Sequence, residues 1–178
     1  MTAIASPDAH TTAQQLFRGV MGRFATGVTV VTTRVGDEIY GMTANAFMAA
    51  SLEPMLCVVS INHTAQMHAR LLAERHFGVS FLTQEQQHLA AHFAGKRLDT
   101  PLVPDFELRG RTPILKRAVA VVTADVLDTA KCGDHTLFIG NVTSLSLGEA
   151  TRPLLFYAGR YARLDGRPVL DVEPPEFW

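Results

Sequence analysis

The sequence lacks several features that would place it in common functional classes. Its 178 residues carry a net charge of only −1, which argues against binding nucleic acid by broad phosphate neutralisation. Its two cysteines, Cys57 and Cys132, form no CxxC motif, and this usage favours a reduced compartment. No apolar window is long enough to cross a bilayer, and the N-terminus MTAIASPDAHTTAQQ has no secretory signal pattern. We therefore expect a cytoplasmic protein that binds neither nucleic acid nor a membrane.

Familiar catalytic and phosphate-binding motifs are also missing. GxGxxG and GxxxxGK[ST] do not occur, so a bound nucleotide would not use the usual phosphate loops. No serine lies in a GxSxG context, and no acid pair is framed as in a glycosidase. His88 and His92 are four residues apart, but Leu89 stands where a zinc protease needs Glu. We predict surface histidines on an amphipathic helix and no metal site.

The composition that remains is that of one globular domain. An apolar fraction of 47% and a charged fraction of 19% fit a folded protein, and the length is enough for a single core. We predict a flexible arm over residues 1–12, one domain over residues 13–164 and a C-terminal arm over residues 165–178.

Periodicity predicts a mainly β fold with short helices. Apolar and β-branched runs predict strands at residues 28–33, 39–44, 55–61, 76–82, 118–128, 135–147, 154–157 and 161–164. Helical spacing predicts helices at residues 12–25, 64–73 and 84–93. We expect the strand at residues 55–61 to be buried on both faces, residues 94–113 to form a long functional loop and residues 129–134 to form a turn. Without β-α-β alternation, an antiparallel barrel is favoured.

The segment GMTANAFMAASLEPMLCVVSIN, residues 41–62, concentrates small and hydrogen-bonding residues where large apolar ones are expected. Thr43, Asn45 and Ser51 offer donors and acceptors, while Ala44 and Ala46 leave room beside the backbone. This pattern suits a chain that lies against a flat ligand with a polar edge. A tightly packed strand pair is the alternative explanation.

Three further positions could bind a ligand. Thr64, at a predicted helix start, could bind phosphate through free N–H groups or could simply cap the helix. Arg97, in the loop FAGKR, could pair with a phosphate or lie in a solvated basic turn. His135 follows Gly133-Asp134 and opens a long strand, where it could bond a ligand or only end a strand pair.

Five segments, in this order, resemble the flavin reductase family: FRGVMGRFATGVTVVTT, GMTANAFMAASLEP, FAGKR, GDHTLFIGNV and PLLFYAGRYARL. The resemblance covers about residues 16–164. It is to the small reductase components of two-component flavin-dependent monooxygenases, such as the 4-hydroxyphenylacetate hydroxylase reductase. It implies a split β-barrel with Greek-key strands, like that of FMN-binding proteins, in a homodimer with its flavin site near the subunit interface.

The resemblance also implies an activity and a set of site residues. Such proteins transfer a hydride from NADH or NADPH to FMN or FAD and release reduced flavin to a separate monooxygenase. His135 is then expected in the catalytic site beside the nicotinamide, with Tyr161 a weaker candidate. The expected flavin-binding residues are Thr43, Ala44, Asn45, Ala46 and Ser51 near the ring, Ser60, Ile61, Asn62 and Thr64 toward the phosphate, and Phe93, Ala94, Gly95 and Arg97 around it.

The sequence departs from the family pattern at Ala46, Met55 and Ser80, where Ser, Pro and Asn are common. Ala46 removes one possible hydrogen bond to the flavin edge. Two other functions remain open: a flavoprotein that keeps its flavin and reduces another acceptor, such as a corrin cobalt centre, and a flavin-binding module without turnover. The cations Arg34, Lys131 and Arg160 could each serve an NADPH 2′-phosphate.

Overall fold

A computed structural model describes residues 7–97, 101–150 and 152–165, with side chains from residue 12 onward. The helices are α1 (Pro7–Met21), α2 (Gln66–Glu74) and α3 (Gln87–Phe93), the last preceded by a 3-10 turn at Gln84–Gln86. The strands are β1 (Thr26–Gly27), β2 (Thr29–Val35), β3 (Glu38–Ala44), β4 (Phe47–Leu52), β5 (Met55–Asn62), β6 (His76–Phe81), β7 (Phe106–Arg109), β8 (Thr112–Leu115), β9 (Ala120–Cys132), β10 (His135–Leu147), β11 (Leu154–Tyr157) and β12 (Arg160–Arg163).

Seven antiparallel strands form the main sheet in the order β3-β2-β6-β9-β10-β5-β4. Its edge strands β3 and β4 are joined by only Asn45 and Ala46. In a flat sheet, six spacings of about 4.8 Å would separate the edges by roughly 29 Å, whereas this link spans roughly 11 Å. The sheet must therefore curl until its edges meet. The Ser60 N–H donates to the Ala46 carbonyl at 3.0 Å, which extends the β5–β4 pairing into this link. The predicted split β-barrel is confirmed.

Two apolar clusters fill and flank the barrel. The first lies inside it and includes the fully buried side chains of Val31, Ile61, Phe77, Val79 and Phe138. The second lies beside α3 and includes Val28, Leu82, Leu89 and Leu154, against which Phe93, Phe156 and Tyr161 pack. Burying each large apolar side chain contributes about 1.5–3 kcal/mol. The second cluster therefore fixes α3 and the β11–β12 hairpin on the barrel.

Several sequence predictions are wrong in detail. Strand β5 is not buried on both faces: Cys57, Val59 and Ile61 are buried, and the residues between them are half-exposed. Residues 94–113 are not one loop, because they contain β7 and the start of β8, which pair as a hairpin. The predicted turn at residues 129–134 is a two-residue turn at Gly133–Asp134, since β9 continues to Cys132 along its long partner β10.

The ends of the first two helices also differ from prediction. Helix α1 begins at Pro7, inside the predicted flexible arm, and proline suits a first helical turn because its missing N–H needs no partner there. Thr64 does not cap α2, because its hydroxyl donates to Asn62 Oδ1 at 2.7 Å and the cap position is Ala65. The C-terminal arm lies outside the described residues, apart from its first residue, Asp165.

Candidate functional site

A cavity of about 660 Å³ opens where β3 ends, between the end of α3 and the β11–β12 hairpin. Five sequence-predicted residues line it: Thr43, Ala44, Asn45, Ala94 and Tyr161. Six further lining residues lie outside the predicted flavin-binding set: Val28, Gln87, Lys96, Phe156, Gly159 and Arg160. The TAN segment, Thr43-Ala44-Asn45, is thus brought together with residues more than forty positions away in sequence.

Strand β3 and helix α3 hold one wall of the cavity by a direct bond. The Thr43 hydroxyl donates to the Ala90 carbonyl at 2.8 Å. This bond uses the only hydrogen on that hydroxyl, so toward a ligand Thr43 offers oxygen lone pairs rather than a donor. Asn45, with both an acceptor and donors on its amide, is therefore the more versatile group on this wall.

The β11–β12 hairpin forms the opposite wall. Its two-residue turn places Ala158 at φ 49° and Gly159 at φ 77°, the backbone of a type I′ turn. The Ala158 N–H donates to the Gly22 carbonyl at 2.7 Å, which ties the hairpin to the end of α1. The Tyr161 ring packs edge-on against Phe156 with centroids 6.0 Å apart, and burial raises the pKa of its hydroxyl.

The cavity is positively charged at its rim. Lys96 and Arg160 are exposed and line it, and the Lys96 ammonium lies 5.7 Å from the centre of the Tyr161 ring. Among the described residues that line the cavity, none is acidic. The rim therefore favours an anionic group such as a phosphate, and the apolar wall of Val28 and Phe156 suits a ring.

A second polar group lies where β5 ends and β10 begins. Asn62 and His135 are directly opposed across these strands, so their side chains share one face. Asp134 Oδ1 lies 2.7 Å from His135 Nδ1, and Asn62 Nδ2 lies 3.4 Å from Asp134 Oδ2. The hydrogen bond from His135 holds the pKa of the Asp134 carboxyl below its usual range.

Two histidines that the sequence did not single out lie beside this group. His63 and His68 place their Nε2 atoms 3.1 Å and 2.9 Å from the same Thr136 hydroxyl, and their ring centroids are 5.1 Å apart. Burial, and then the neighbouring His63, lower the pKa of His68. Thr136 reaches both rings because β10 pairs with β5, and a single sequence does not reveal that pairing.

The remaining predicted residues do not line the cavity. Ala46 and Ser60 are bonded to each other through the backbone, and Ile61 is fully buried in the barrel core. Both donors of Thr64 are bonded to Asn62 Oδ1. Four others lie outside the lining: Ser51 on β4, Phe93 on α3, and Gly95 and Arg97 beyond it. Their roles stay predictions.

Across residues 7–97, 101–150 and 152–165, no three His, Cys, Asp or Glu side chains are grouped so as to hold a metal ion. In the same part of the chain, no helix has the length and apolar character needed to span a membrane. His88 and His92 lie on α3, where His88 Nδ1 is 3.0 Å from the Glu85 carbonyl oxygen and His92 packs against Phe93.

The fold and the TAN-centred cavity define a flavin reductase. The family model for the flavin reductase like domain matches residues 21–165, and the chain belongs to this family. It is 38% identical over 151 residues to an NADH-dependent flavin reductase of Rhodococcus sp, covering 83% of this chain and 85% of the relative. It is 34% identical to the reductase component of 4-hydroxyphenylacetate 3-monooxygenase from Thermus thermophilus, covering 85% and 97%.

Solved structures agree with this assignment. The flavin reductase PheA2 in its native state superposes with a TM-score of 0.82 at 44% identity, covering 85% of this chain and 98% of that one. The NADH:FAD oxidoreductase SgcE6 of Streptomyces globisporus, in complex with NAD and FAD fragments, superposes with a TM-score of 0.80 at 35% identity. That match covers 96% of this chain and 100% of SgcE6.

Proposed function

We propose that this protein is an NADH-dependent flavin reductase that supplies reduced flavin to a partner monooxygenase. The observation that carries the proposal is the cavity at Thr43–Asn45, in a chain that belongs to the flavin reductase family. Relatives named as NADH-dependent flavin and FAD reductases support the choice of NADH and FAD over NADPH and FMN.

The residues present fit a flavin. The cavity volume of about 660 Å³ lies within the range of small-molecule sites. Asn45 and the adjoining backbone provide polar groups for the pyrimidine edge, Val28 and Phe156 provide apolar surface for the rings, and Lys96 and Arg160 provide charge for a phosphate. A flavin supplies the hydride-accepting chemistry itself, so the absence of an acid–base pair from the lining is consistent with this role.

The chain contributes binding and orientation rather than proton transfer. The Thr43–Ala90 bond fixes the wall against which the ring would lie. Holding two rings at reacting distance converts a bimolecular encounter into an effectively unimolecular step. We assign His135 to the nicotinamide side, because its imidazole is about 40% exposed on the face that also bears Asn62.

The exposed position of the two cations, Lys96 and Arg160, would allow the reduced flavin to leave the cavity. Lys96, Gly159 and Arg160 form an exposed rim, so a phosphate there is held at the surface by screened charges. Relatives include reductase components of 4-hydroxyphenylacetate and 4-nitrophenol monooxygenases. We therefore propose a flavin-dependent monooxygenase as the partner that receives the flavin by diffusion, in the cytoplasm, where both free cysteines stay reduced.

We further propose that the protein is a homodimer. Helix α1 and the turn that follows it carry uncovered apolar side chains: Leu16, Phe17 (66% exposed), Val20 and Met21 on the helix, and Phe24 (73% exposed) beyond it. Contiguous exposed apolar surface of this kind marks an interface. A second copy of the chain is the occupant proposed here, and light scattering at micromolar concentration should give twice the chain mass.

The test of function is NADH oxidation by the purified protein with and without added FAD. We expect oxidation to accelerate with FAD, and the flavin to be lost on dialysis. If FAD gives no acceleration, the proposal is wrong. A flavin that survives dialysis would favour a flavoprotein with another acceptor, such as a corrin cobalt centre, and binding without NADH oxidation would favour a flavin-binding module.

A further inference from the structure

A chain of hydrogen bonds runs from the β5–α2 turn to His135. Asn62 Oδ1 accepts from the Thr64 N–H at 2.9 Å and from the Thr64 hydroxyl at 2.7 Å. Because the oxygen of the Asn62 amide is occupied in this way, its Nδ2 is directed at Asp134 Oδ2, 3.4 Å away. Asp134 Oδ1 in turn lies 2.7 Å from His135 Nδ1.

The backbone fixes the same geometry from the other side. The His63 N–H donates to the Asp134 carbonyl at 3.0 Å, which ties the β9–β10 turn to the end of β5. Gly133 supplies the positive φ of this turn, at 60°. Asp134 needs no unusual backbone conformation, so its side chain can be changed without disturbing the turn.

The chemistry of the Asp134 carboxylate decides which ring nitrogen of His135 carries the hydrogen. Its pKa is lowered, chiefly by the bond to His135, so at neutral pH the group is ionised and can only accept hydrogen bonds. His135 Nδ1 must therefore be the donor. In a neutral imidazole the other nitrogen, Nε2, is then a bare acceptor, and it has no hydrogen-bond partner among the described residues.

We propose that Asp134 is a positioning residue that holds His135 in its Nδ1–H tautomer, so that Nε2 accepts a hydrogen bond from the carboxamide NH₂ of the reduced nicotinamide. The proposal rests on the proposed function and extends it. It reverses the simplest expectation for His135, which would donate to the carboxamide oxygen. A bare Nε2 therefore selects a ligand that carries an amide N–H donor next to the reacting carbon of its ring.

The tautomer can be measured without any ligand. Long-range ¹⁵N–¹H NMR spectra of the free protein at pH 8, where an imidazole is ordinarily neutral, should show the His135 hydrogen on Nδ1. In Asp134→Ala we expect that hydrogen to move to Nε2. Asp128→Ala is the matched control: its carboxylate, on β9, is also exposed and accepts from the adjacent Thr129 N–H at 2.7 Å, so the His135 signals of this variant should match wild type.

The second measurement uses a cofactor analogue that lacks the amide donor. Reduced 3-acetylpyridine adenine dinucleotide carries a methyl ketone in place of the carboxamide. With NADH, Asp134→Ala should raise KM about fivefold, as expected for one lost neutral hydrogen bond, with kcat nearly unchanged. With the analogue, whose ketone oxygen only accepts hydrogen bonds, KM should not rise in Asp134→Ala, where Nε2 carries the hydrogen, and should be unchanged in Asp128→Ala.

The outcomes separate this proposal from the proposed function. A wild-type protein that oxidises no NADH with FAD would overturn the function, while the NMR result would still report the tautomer. A wild-type His135 with its hydrogen on Nε2 would overturn the role of Asp134. So would an equal KM increase for NADH and the analogue, which would indicate a general distortion of the site.

Discussion

Gly41 lies directly against the ring of Phe93. A Cβ built at Gly41 would stand 2.5 Å from Cε1 and 2.6 Å from Cδ1 of that ring, closer than any packed side chain allows. The contact joins the middle of β3 to the last residue of α3. It therefore sets how near the end of α3 lies to the proposed flavin cavity.

Gly41→Ala should push Phe93 outward and move the end of α3, where Ala94 and Lys96 line the cavity. Overpacking of this kind costs about 1–3 kcal/mol of stability, and we expect weaker FAD binding as well. Urea unfolding and quenching of FAD fluorescence would measure the two effects. Gly19→Ala is the control, since no atom lies within 4 Å of a Cβ there, and it should leave FAD affinity unchanged.

Thr43→Val should weaken FAD binding, because it removes the hydroxyl that donates to the Ala90 carbonyl. The lost bond is worth about 0.5–1.5 kcal/mol in the free energy of unfolding. Thr43→Ser keeps the donor and should retain most of both the stability and the affinity. A loss in Thr43→Ser with affinity retained in Thr43→Val would show that the methyl group, rather than the bond, matters at this position.

Lys96→Ala should reduce the affinity for FMN and FAD more than Arg97→Ala does, although the two residues are adjacent. Lys96 lines the cavity, whereas Arg97 is exposed outside the lining. For a single charged contact we expect on the order of a tenfold loss, smaller at high salt. Riboflavin, which has no phosphate, should bind both variants as it binds wild type. A larger effect at Arg97 would restore the prediction made from the loop FAGKR.

Stability should fall as the pH drops below the ordinary imidazole range, in part because of His76. This side chain is buried and lies 3.0 Å from the Thr112 hydroxyl. Burial, and then the nearby Arg111, lower its pKa, so the unfolded chain takes up the proton first. The contribution of His76 to the free energy of unfolding is complete above about pH 6.5 and is lost as the pH falls toward its pKa in the folded protein.

His76→Gln should flatten that part of the stability profile. Urea midpoints at pH 7.5 and pH 5.5 in wild type and variant would give the difference. His88→Gln, at an exposed position of α3, serves as the control and should keep the wild-type slope. An unchanged slope in His76→Gln would assign the acid sensitivity to other groups.

Local patterns in the sequence predicted much of the fold. The β-branched run at residues 28–33 and the apolar run at residues 55–61 both form strands close to the predicted bounds. The β7–β8 hairpin was missed because proline and charged residues hide its alternation. The extension of β9 to Cys132 depends on pairing with the thirteen-residue strand β10, and such long-range pairing leaves no mark on the local sequence.

The candidate site was predictable to the extent that it is local. Thr43, Ala44 and Asn45 were found from small and polar residues in a strand, and all three line the cavity. Gln87 and Phe156 were not found, because a glutamine on a helix and a phenylalanine in a short strand carry no local signal of a ligand. Only the closing of the barrel places them beside the TAN segment.

The two-residue link Asn45–Ala46 closes the barrel, and its first residue, Asn45, also lines the cavity. A ligand that binds Asn45 therefore also holds the two edge strands, β3 and β4, in register. A bound flavin should then protect slow-exchanging amides in β3 and β4, and far around the barrel, rather than only those it touches. We expect a residue inserted into this link to disrupt the closure of the barrel before it affects the chemistry of the site.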